Sequence, residues 1–294
     1  MAENIKKCLK DLLCMLSPEL YSRYLFKRIL GQKLALDKPT GMNEKLMWLK
    51  LNDYGKNPLV SLCADKYRVR EYVESCGYEV ILNELYGVWD KAEDIDWDKL
   101  PDAFVMKCNH GCGYNLIYPQ KSRIDTAAAV RQLNAWLREK YWLSLGEIQY
   151  RNIEPKIICE KYLGDALVDY KIYCFNGKPE FIMVCVGREA GQPSHTQGIE
   201  EPMFYFFSTD WQLRRLTKDG QMAPEGFTVP KPEKLDYMLE IAEKLSGPFP
   251  FVRVDLYDIE GKTVFGELTF TPSAALDEDR LPETDKLFGS MIQI

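Results

Sequence analysis

The chain has 294 residues, of which 46% are hydrophobic and 28% are charged, a balance typical of a globular protein with a sizeable core. The content of 19 Gly and 16 Pro, without a short repeat, excludes a disordered or collagen-like chain. The formal net charge of −6 argues against nucleic acid as a partner, because duplex-binding domains normally have a basic surplus. Nine cysteines without a CxxC pair and only two histidines predict a cytoplasmic chain without zinc.

The first 16 residues place apolar side chains at helical spacing, with lysines between them. They contain no small-residue cleavage site, so we do not expect a signal peptide. No apolar run is long enough for a transmembrane segment. The pattern favours a packed helix over a helix on a membrane surface, and peripheral membrane contact stays open.

Next come further helices and then the first strands. Pro18–Gly31 and 43–51 are predicted helices, and 1–58 is predicted to be a helical N-terminal segment. A second region, 59–155, mixes helices with strands. Its predicted elements are a helix over 65–76, a strand over 79–85, a strand over 104–108 and a helix over 126–142.

The remainder, 156–294, is richer in strands. Asn176-Gly177 and Glu260-Gly261 are typical hairpin turns, and 232–244 is a predicted helix. The order lacks the regular βαβ repeat of a doubly wound sheet, so we predict an α+β protein with largely antiparallel sheets. The predicted strands cover 156–160, 170–175, 181–186, 203–208, 251–257 and 263–268.

The last predicted hairpin brings charged residues together. Alternation places Arg253 and Asp255 on one face of a strand, and Glu267 and Thr269 on one face of its partner. If the two faces coincide, two carboxylates converge beside a guanidinium. Carboxylates without His or Cys suit a hard cation such as Mg²⁺. A solvated hairpin face with an Arg–Asp salt bridge is the alternative, and spacing alone favours it slightly.

A glycine-rich turn, 109–113, follows the predicted strand that ends near Lys107. Glycines allow backbone N–H groups to approach phosphate oxygens, and a lysine adds charge. The turn matches neither GxxxxGK[ST] nor GxGxxG, so an ordinary turn is the alternative. For the run 157–164, followed by Asp169 and Lys171, an ordinary strand–loop–strand with surface charges is the commoner reason for such a pattern.

Taken in order, these features resemble the ATP-grasp ligases, over roughly residue 59 to the C-terminus. Within that superfamily the chain is similar to the teichuronopeptide-biosynthesis (TupA-like) type. The resemblance implies an ATP-grasp fold in which two α+β subdomains, 59–155 and 156–294, clasp ATP. The segments with this likeness are Asn43-Glu44-Lys45, 64–73, 100–107 and 265–272.

The resemblance also implies roles for individual residues. Lys66, Lys107 and the Gly111–Gly113 turn would contact the triphosphate of ATP. Adenine would lie against Glu160, Lys161, Tyr162 and Leu163, with Asp169 at the ribose and Lys171 near the same site. Asp255 and Glu267 would bind two magnesium ions. Arg253 would stabilise the acyl phosphate and the tetrahedral species, and Arg188 would be a second anion contact.

One position departs from the common ATP-grasp pattern, Glu-x-Asn, because here it reads Glu267-Leu268-Thr269. A hydroxyl is a poorer magnesium ligand than an amide carbonyl, so the metal role of Thr269 is weaker than that of the two carboxylates. The segment before residue 60 also lacks the βαβ unit that usually precedes an ATP-grasp core.

The implied function is an ATP- and Mg²⁺-dependent carboxylate–amine ligase of bacterial cell-surface or capsular polysaccharide biosynthesis. Its substrates would be a uronic-acid carboxylate and an amino acid or amine. A nucleotide-sugar glycosyltransferase is the alternative enzyme, and the DxD pattern in Asp94–Asp98 is its only support. A degenerate nucleotide-binding partner would have lost Lys107, Asp255 or Glu267, and all three are present.

Overall fold

The computed structural model describes residues 2–165, 167–187 and 202–294. The helices in these ranges are α1 Ala2–Leu16, α2 Pro18–Leu30, α3 Met42–Leu49, α4 Pro58–Ala64, α5 Val69–Ser75, α6 Thr126–Leu137, α7 Trp142–Leu145, α8 Lys218–Met222, α9 Leu235–Ser246 and α10 Pro282–Met291. The strands are β1 Leu85–Trp89, β2 Phe104–Cys108, β3 Asn115–Tyr118, β4 Ile157–Lys161, β5 Val168–Phe175, β6 Lys178–Val186, β7 Met203–Ser208, β8 Leu213–Arg214, β9 Phe251–Ile259 and β10 Lys262–Thr269.

The strands form two sheets in which all of the described pairings are antiparallel, which confirms the α+β prediction. One sheet has four strands in the order β1-β4-β2-β3, and the other has six in the order β10-β9-β5-β6-β7-β8. Strand β4 pairs with β1 and β2 in the smaller sheet, although it lies beyond the predicted boundary at 155/156. The division into 1–58, 59–155 and 156–294 stays a prediction.

The larger sheet supplies most of the core. Helix α9 packs against β5, β6 and β9, and the side chains between them are fully buried. Alternate residues of β9, Val252, Val254 and Leu256, face this core, so the intervening Arg253 and Asp255 face the opposite side of the sheet. Burying the apolar face thereby fixes where the charged face points.

The N-terminal helices share a core with the larger sheet and have regular ends. Ser17 caps α2 by accepting a hydrogen bond from the backbone N–H of Leu20, and Gly31 ends that helix in the left-handed conformation. A π-helical turn, Lys50–Tyr54, follows α3. Its buried Tyr54 hydroxyl donates to the backbone oxygen of Phe251 at 2.7 Å, which ties the segment to the start of β9.

Three predicted elements differ from the structure. The strand predicted over 79–85 is a single 3₁₀ turn at Glu79–Ile81, and β1 begins only at Leu85. Val80 is 78% exposed there, so the apolar alternation does not correspond to a buried face. The helix predicted over 126–142 ends at Leu137, and a turn separates it from α7.

The helix predicted over 65–76 becomes regular only at Val69, because the Asp65 side chain organises its beginning. Asp65 Oδ1 accepts hydrogen bonds from the backbone N–H groups of Tyr67 and Arg68, at 2.8 and 3.1 Å. A side-chain acceptor that satisfies these donors replaces the first helical turn. The turn that results holds Lys66 outside the helix.

Helix α1 is present as predicted, but most of its apolar side chains do not pack against the rest of the protein. Ile5, Leu9, Leu12 and Leu16 are all exposed, whereas Cys14 is buried. The packed-helix prediction is therefore wrong for most of these apolar side chains. Within the described ranges, no helix combines the length and the hydrophobicity that crossing a membrane requires.

Candidate functional site

The predicted charged cluster on the β9–β10 hairpin is formed. Glu267 lies directly opposite Asp255, and Thr269 lies opposite Arg253. The Arg253 guanidinium makes two hydrogen bonds of 2.7 Å to the Asp255 carboxylate and one of 3.1 Å to Thr269 Oγ1. Its Nη2 is also 3.7 Å from Glu267 Oε1. One guanidinium thus touches all three of the residues predicted as metal ligands.

A β-bulge at Gly266 makes this arrangement possible. Phe265 pairs with Leu256 and Glu267 with Asp255, so Gly266 is an extra residue without a partner. The bulge shifts the alternation by one, which allows Phe265 and Leu268 to enter the core while Glu267 stays on the charged face. A side chain at Gly266 would place Cβ 2.9 Å from the Asp255 carbonyl oxygen, so glycine fits there without strain.

Strand β5 adds a third column of charges beside β9. Lys171 lies opposite Asp255 and its Nζ contacts Asp255 Oδ2 at 2.8 Å; it also forms a short ion pair with Asp169. Burial acts to lower the pKa of Lys171, but the charge of Asp255 raises it. Burial raises the pKa of Asp169, and its Oδ1 is buried without a hydrogen-bond partner.

Lys66 connects the turn before α5 to the larger sheet. Its Nζ lies 3.2 Å from Glu267 Oε2. Burial alone would lower the pKa of Lys66, but attraction to Glu267, and more weakly to Cys112 and Glu160, raises it. In return, Lys66 and then Arg253 hold the pKa of the Glu267 carboxyl well below its ordinary value. Both groups are charged at neutral pH.

The Gly turn predicted to contact phosphate is fixed by the buried Asn109. Asn109 Nδ2 donates to Asp65 Oδ1 at 2.9 Å and to the Glu154 oxygen at 3.0 Å, and its Oδ1 accepts from Lys156 N at 2.7 Å. Its own carbonyl accepts from the backbone N–H of Lys66 at 3.1 Å. One amide therefore links Lys66, the turn and the residue before β4.

A second charged cluster lies on the smaller sheet. Lys107 on β2 and Glu160 on β4 form an ion pair of 2.6 Å, and Arg70 of α5 is 3.8 Å from the same carboxylate. Lys66, which contacts Glu267, and Arg70, which contacts Glu160, lie four residues apart at the beginning of α5, so this segment reaches both clusters.

The other predicted residues lie at the margins of these clusters. Gly111 is buried, and a Cβ there would meet the rings of Tyr141 and Tyr114 at 2.6 and 2.8 Å. Gly113 has a positive φ and open space around it. Lys161 ends β4, and Tyr162 and Leu163 follow in the connection towards β5. Arg188 lies outside the described residues.

The carboxylates of the site can supply only some of the ligands of a magnesium ion. In the described ranges, no three His, Cys, Asp or Glu side chains converge into a complete metal site. Mg²⁺, however, is usually held by one or two carboxylates together with phosphates and water. Asp255 and Glu267 fit this donor set, and the unpartnered Oδ1 of Asp169 is a further buried oxygen beside it. Glu267 is 37% exposed and Asp255 only 2%, so the cluster opens on the Glu267 side.

The acidic run Asp94–Asp98 lies in the connection between β1 and β2 and not at the end of either strand. Asp94 ends one 3₁₀ turn and Trp97–Lys99 forms the next. Asp96 pairs with the exposed Lys99 at 2.8 Å. A metal-binding DxD would have to stand at the end of a strand, so the run has the features of a solvated loop.

Comparison with known proteins identifies the family to which the chain belongs. The model of the TupA-like ATP-grasp family matches residues 44–293, which is most of the chain. The chain belongs to the TupA-like ATP-grasp family. The predicted ATP-grasp fold is thereby confirmed, and the family match includes both charged clusters. No curated protein sequence matches the chain.

Several solved structures are also similar to this family member. The D-alanine–D-alanine ligase from Bacillus anthracis is 15% identical, with 85% of this chain and 66% of that chain covered and a TM-score of 0.49. The L-amino acid ligase from Bacillus licheniformis is 14% identical, with 74% and 44% covered and a TM-score of 0.45. The chain therefore spans less than two thirds of the length of these proteins.

Several residues of the site were not predicted to be part of it. Asp65 and Asn109 lie within the segments 64–73 and 109–113, which the sequence did single out, but their roles depend on hydrogen bonds to other segments. Gly266 acts through the strand register, so spacing gave no signal for these three roles. Arg70 contacts Glu160, 90 positions further along the chain, so spacing gave no signal for it either.

Proposed function

We propose that the chain is an ATP- and Mg²⁺-dependent carboxylate–amine ligase that works through an acyl phosphate. The observation that supports this most strongly is the row Lys171, Asp255 and Glu267 across three adjacent strands, in which Lys66 contacts Glu267 and Arg253 contacts Asp255. Two carboxylates lie side by side between cations in this row, and the binding of a metal–triphosphate complex requires groups of both charges. The family membership supports the same reaction class.

In this proposal the cations bind and orient ATP. Lys66 and Lys107 contact the triphosphate with the Gly111–Gly113 turn, and the strand end Glu160 to Leu163 lies along adenine. Asp169 binds the ribose. Once phosphate oxygens are present, Lys66 and Lys107 exchange their ion pairs with Glu267 and Glu160 for contacts to the nucleotide.

Asp255 and Glu267 would hold the magnesium ions, with Thr269 acting at most as a weak oxygen ligand. Magnesium, when bound, neutralises charge between the β- and γ-phosphates. The low pKa of Glu267 suits this role, because the carboxylate stays ionised and needs no deprotonation before it binds a cation. Lys171 and Arg253 keep Asp255 fixed in position.

The chemistry follows from the poor reactivity of a carboxylate. Attack by an amine would have to expel oxide, whereas transfer of the γ-phosphoryl group gives an acyl phosphate with phosphate as its leaving group. Arg253 lies where it can stabilise the negative charge that develops on the carbonyl oxygen during amine attack. The products are an amide, ADP and phosphate.

The finer proposal concerns the substrates. We infer a uronic-acid carboxylate of a cell-surface or capsular polysaccharide precursor and an amino acid or amine, in the cytoplasm. The support is the likeness of the quoted sequence segments to the teichuronopeptide type. The predicted glycosyltransferase activity remains the rival, without a suitably placed DxD to support it.

A substrate screen tests the proposed reaction. Phosphate release from ATP and Mg²⁺ is measured against uronic-acid sugars and their nucleotide conjugates, each combined with amino acids, and products are identified by mass spectrometry. We expect release that depends on both substrates, with a product lighter than their sum by one water. Binding of a nucleotide sugar without any binding of ATP would contradict the ligase.

Glu267→Gln tests the metal assignment. We expect it to lower ATP cleavage by a factor of about 100 or more, because a neutral amide neither balances Lys66 nor binds Mg²⁺ as a carboxylate does. The matched control is Glu278→Gln, in the loop before α10. Circular dichroism confirms that both variants are folded. Cleavage at the wild-type rate in Glu267→Gln would refute the assignment.

A further inference from the structure

The two N-terminal helices expose an apolar surface that the proposed ligase reaction does not use. We name it the N-terminal stripe, and define it as the exposed face of α1 and α2. In α1 the exposure reaches 61% for Leu9 and 76% for Leu16, and in α2 it is 57% for Leu20. Its members are Ile5, Leu9, Leu12, Leu16, Leu20 and Tyr24.

The apolar face of α1 points to solvent, whereas the apolar face of a helix on a globular surface is expected to point to the core. Ile5, Leu9, Leu12 and Leu16 are separated by four, three and four residues and therefore share one face, which points to solvent. The buried Cys14 lies on the opposite face, where α1 packs against α2 and α7. Lys7, Lys10 and Asp11 share that inner side by their spacing from Cys14. Water is an unfavourable neighbour for such an apolar face, so a partner is expected to cover it.

Charge around the N-terminal stripe identifies the kind of partner. Residues 1–38 contain eight Lys and Arg against four Asp and Glu, whereas the whole chain contains 38 against 44. Glu19 is already neutralised by Arg23 at 2.8 Å. Lys27 and Arg28 are exposed, and the contacts described for them are to the backbone oxygen of Gly31 and to the Tyr24 hydroxyl, not to carboxylates.

We propose that the N-terminal stripe docks on the surface of an anionic bilayer. Its leucines enter the boundary between head groups and acyl chains, while Lys6, Lys27 and Arg28 lie at the lipid phosphates. Tyr24 has an apolar ring and a polar hydroxyl, as do the aromatic residues common at membrane interfaces. A second copy of this chain is the less suitable partner, because two-fold pairing of the same surface brings its basic residues together.

Vesicle co-sedimentation of the full chain tests the proposal. Vesicles of phosphatidylcholine alone are compared with vesicles that contain about 30% phosphatidylglycerol. We expect binding to the anionic vesicles only, with a marked loss at about 0.5 M NaCl, because salt screens the lysines. Absence of binding to the anionic vesicles would overturn the proposal.

Paired variants locate the surface. Leu9→Ser/Leu12→Ser/Leu16→Ser and Lys27→Gln/Arg28→Gln should each weaken anionic-vesicle binding by about tenfold or more. The matched controls, Val80→Ser/Met222→Ser and Lys99→Gln/Lys218→Gln, change equally exposed residues elsewhere and should bind as the wild type does. All the changed side chains are exposed, so we expect unaltered thermal melting.

Two results would overturn the proposal even if the protein is well folded. One is vesicle binding that the stripe variants leave unchanged. The other is a concentration-dependent dimer, seen by light scattering and lost in the leucine variant, without vesicle binding; the partner would then be a second copy. Activity with soluble substrates is independent of these outcomes, so a failure here does not affect the proposed ligase.

Discussion

Among the residues that the structure describes, Lys50 is the most completely buried cation outside the charged clusters. Its Nζ donates to the carbonyl oxygens of Leu145 and Ala274 at 3.3 and 3.4 Å. Burial lowers its pKa to about 8, although the nearby Glu147 acts in the opposite direction. Ala274 lies in a turn just after β10, so Lys50 links the N-terminal helices to the segment that follows Glu267.

The lowered pKa of Lys50 predicts a pH dependence of stability. The unfolded lysine, with a pKa of about 10.4, binds a proton that the folded protein has already released above pH 8. The free energy of unfolding therefore rises by up to roughly 3 kcal/mol from this group between pH 8 and 10.4. Lys50→Met should lack this rise.

Denaturant unfolding of wild type and Lys50→Met at several pH values in this window measures the difference. Lys218→Met, which changes a lysine with a 62% exposed side chain, is the control and should follow the wild type. Parallel stability curves for wild type and Lys50→Met would contradict the expectation.

At the scale of elements, the β9–β10 hairpin determines the site. Its bulge at Gly266 brings Glu267 opposite Asp255, and its end leads into an unusual turn. Ser273, Ala274 and Ala275 all have positive φ, between 52° and 63°, which costs about 1–2 kcal/mol for each such residue. Hydrogen bonds between Thr271, Glu147 and Gln149 hold the beginning of this turn.

Gly266→Ala tests the role of the bulge. The new Cβ would lie 2.9 Å from the Asp255 carbonyl oxygen, so the strands must separate or the register must change. We expect the free energy of unfolding to fall by about 1–3 kcal/mol. We also expect the rate of ATP cleavage to fall by more than the loss of folded protein would explain.

Gly247→Ala is the matched control, since its Cβ would stand at an ordinary 3.6 Å from the nearest atom and its φ is negative. Thermal melting and ATP cleavage are measured on both variants. Equal activity of the two would show that the register at Gly266 does not govern the site.

At the scale of the whole molecule, ion pairs connect parts that are distant in the sequence. Lys66 contacts Glu267 across 201 positions, and Lys107 and Glu160 join two strands of the smaller sheet. The Asp65–Asn109 hydrogen bond and the Tyr54–Phe251 hydrogen bond complete these connections. A ligand that bridges both clusters should therefore stabilise the molecule as a unit.

Binding of ATP with Mg²⁺ should raise the melting temperature. At a ligand concentration of about 100 times Kd, the gain is about 2.7 kcal/mol, or roughly 4 °C for a chain of this size. Asp255→Asn should reduce the shift, because it removes a proposed metal ligand. Scanning fluorimetry with ATP and EDTA is the control, and an equal shift without Mg²⁺ would contradict the metal assignment.

The sequence alone was sufficient for most elements and for the charged face of the last hairpin. Alternation assigns Arg253 and Asp255 to one side of a strand whatever the rest of the chain does, because side chains point to opposite faces by backbone geometry. The order of the sequence motifs was also sufficient to predict the family. The strand predicted over 79–85 failed because local hydrophobicity does not report which residues a partner strand covers.

Only the tertiary structure decided which of these groups meet. The Lys66–Glu267 ion pair and the contact of the buried Lys50 with Ala274 join residues 201 and 224 positions apart, and the Asp65–Asn109 hydrogen bond joins residues 44 apart. The Gly266 bulge depends on how β10 pairs with β9. The outward direction of the apolar face of α1 is another such case. Spacing within a segment fixes the face on which a residue lies, whereas packing of the whole chain fixes what that face touches.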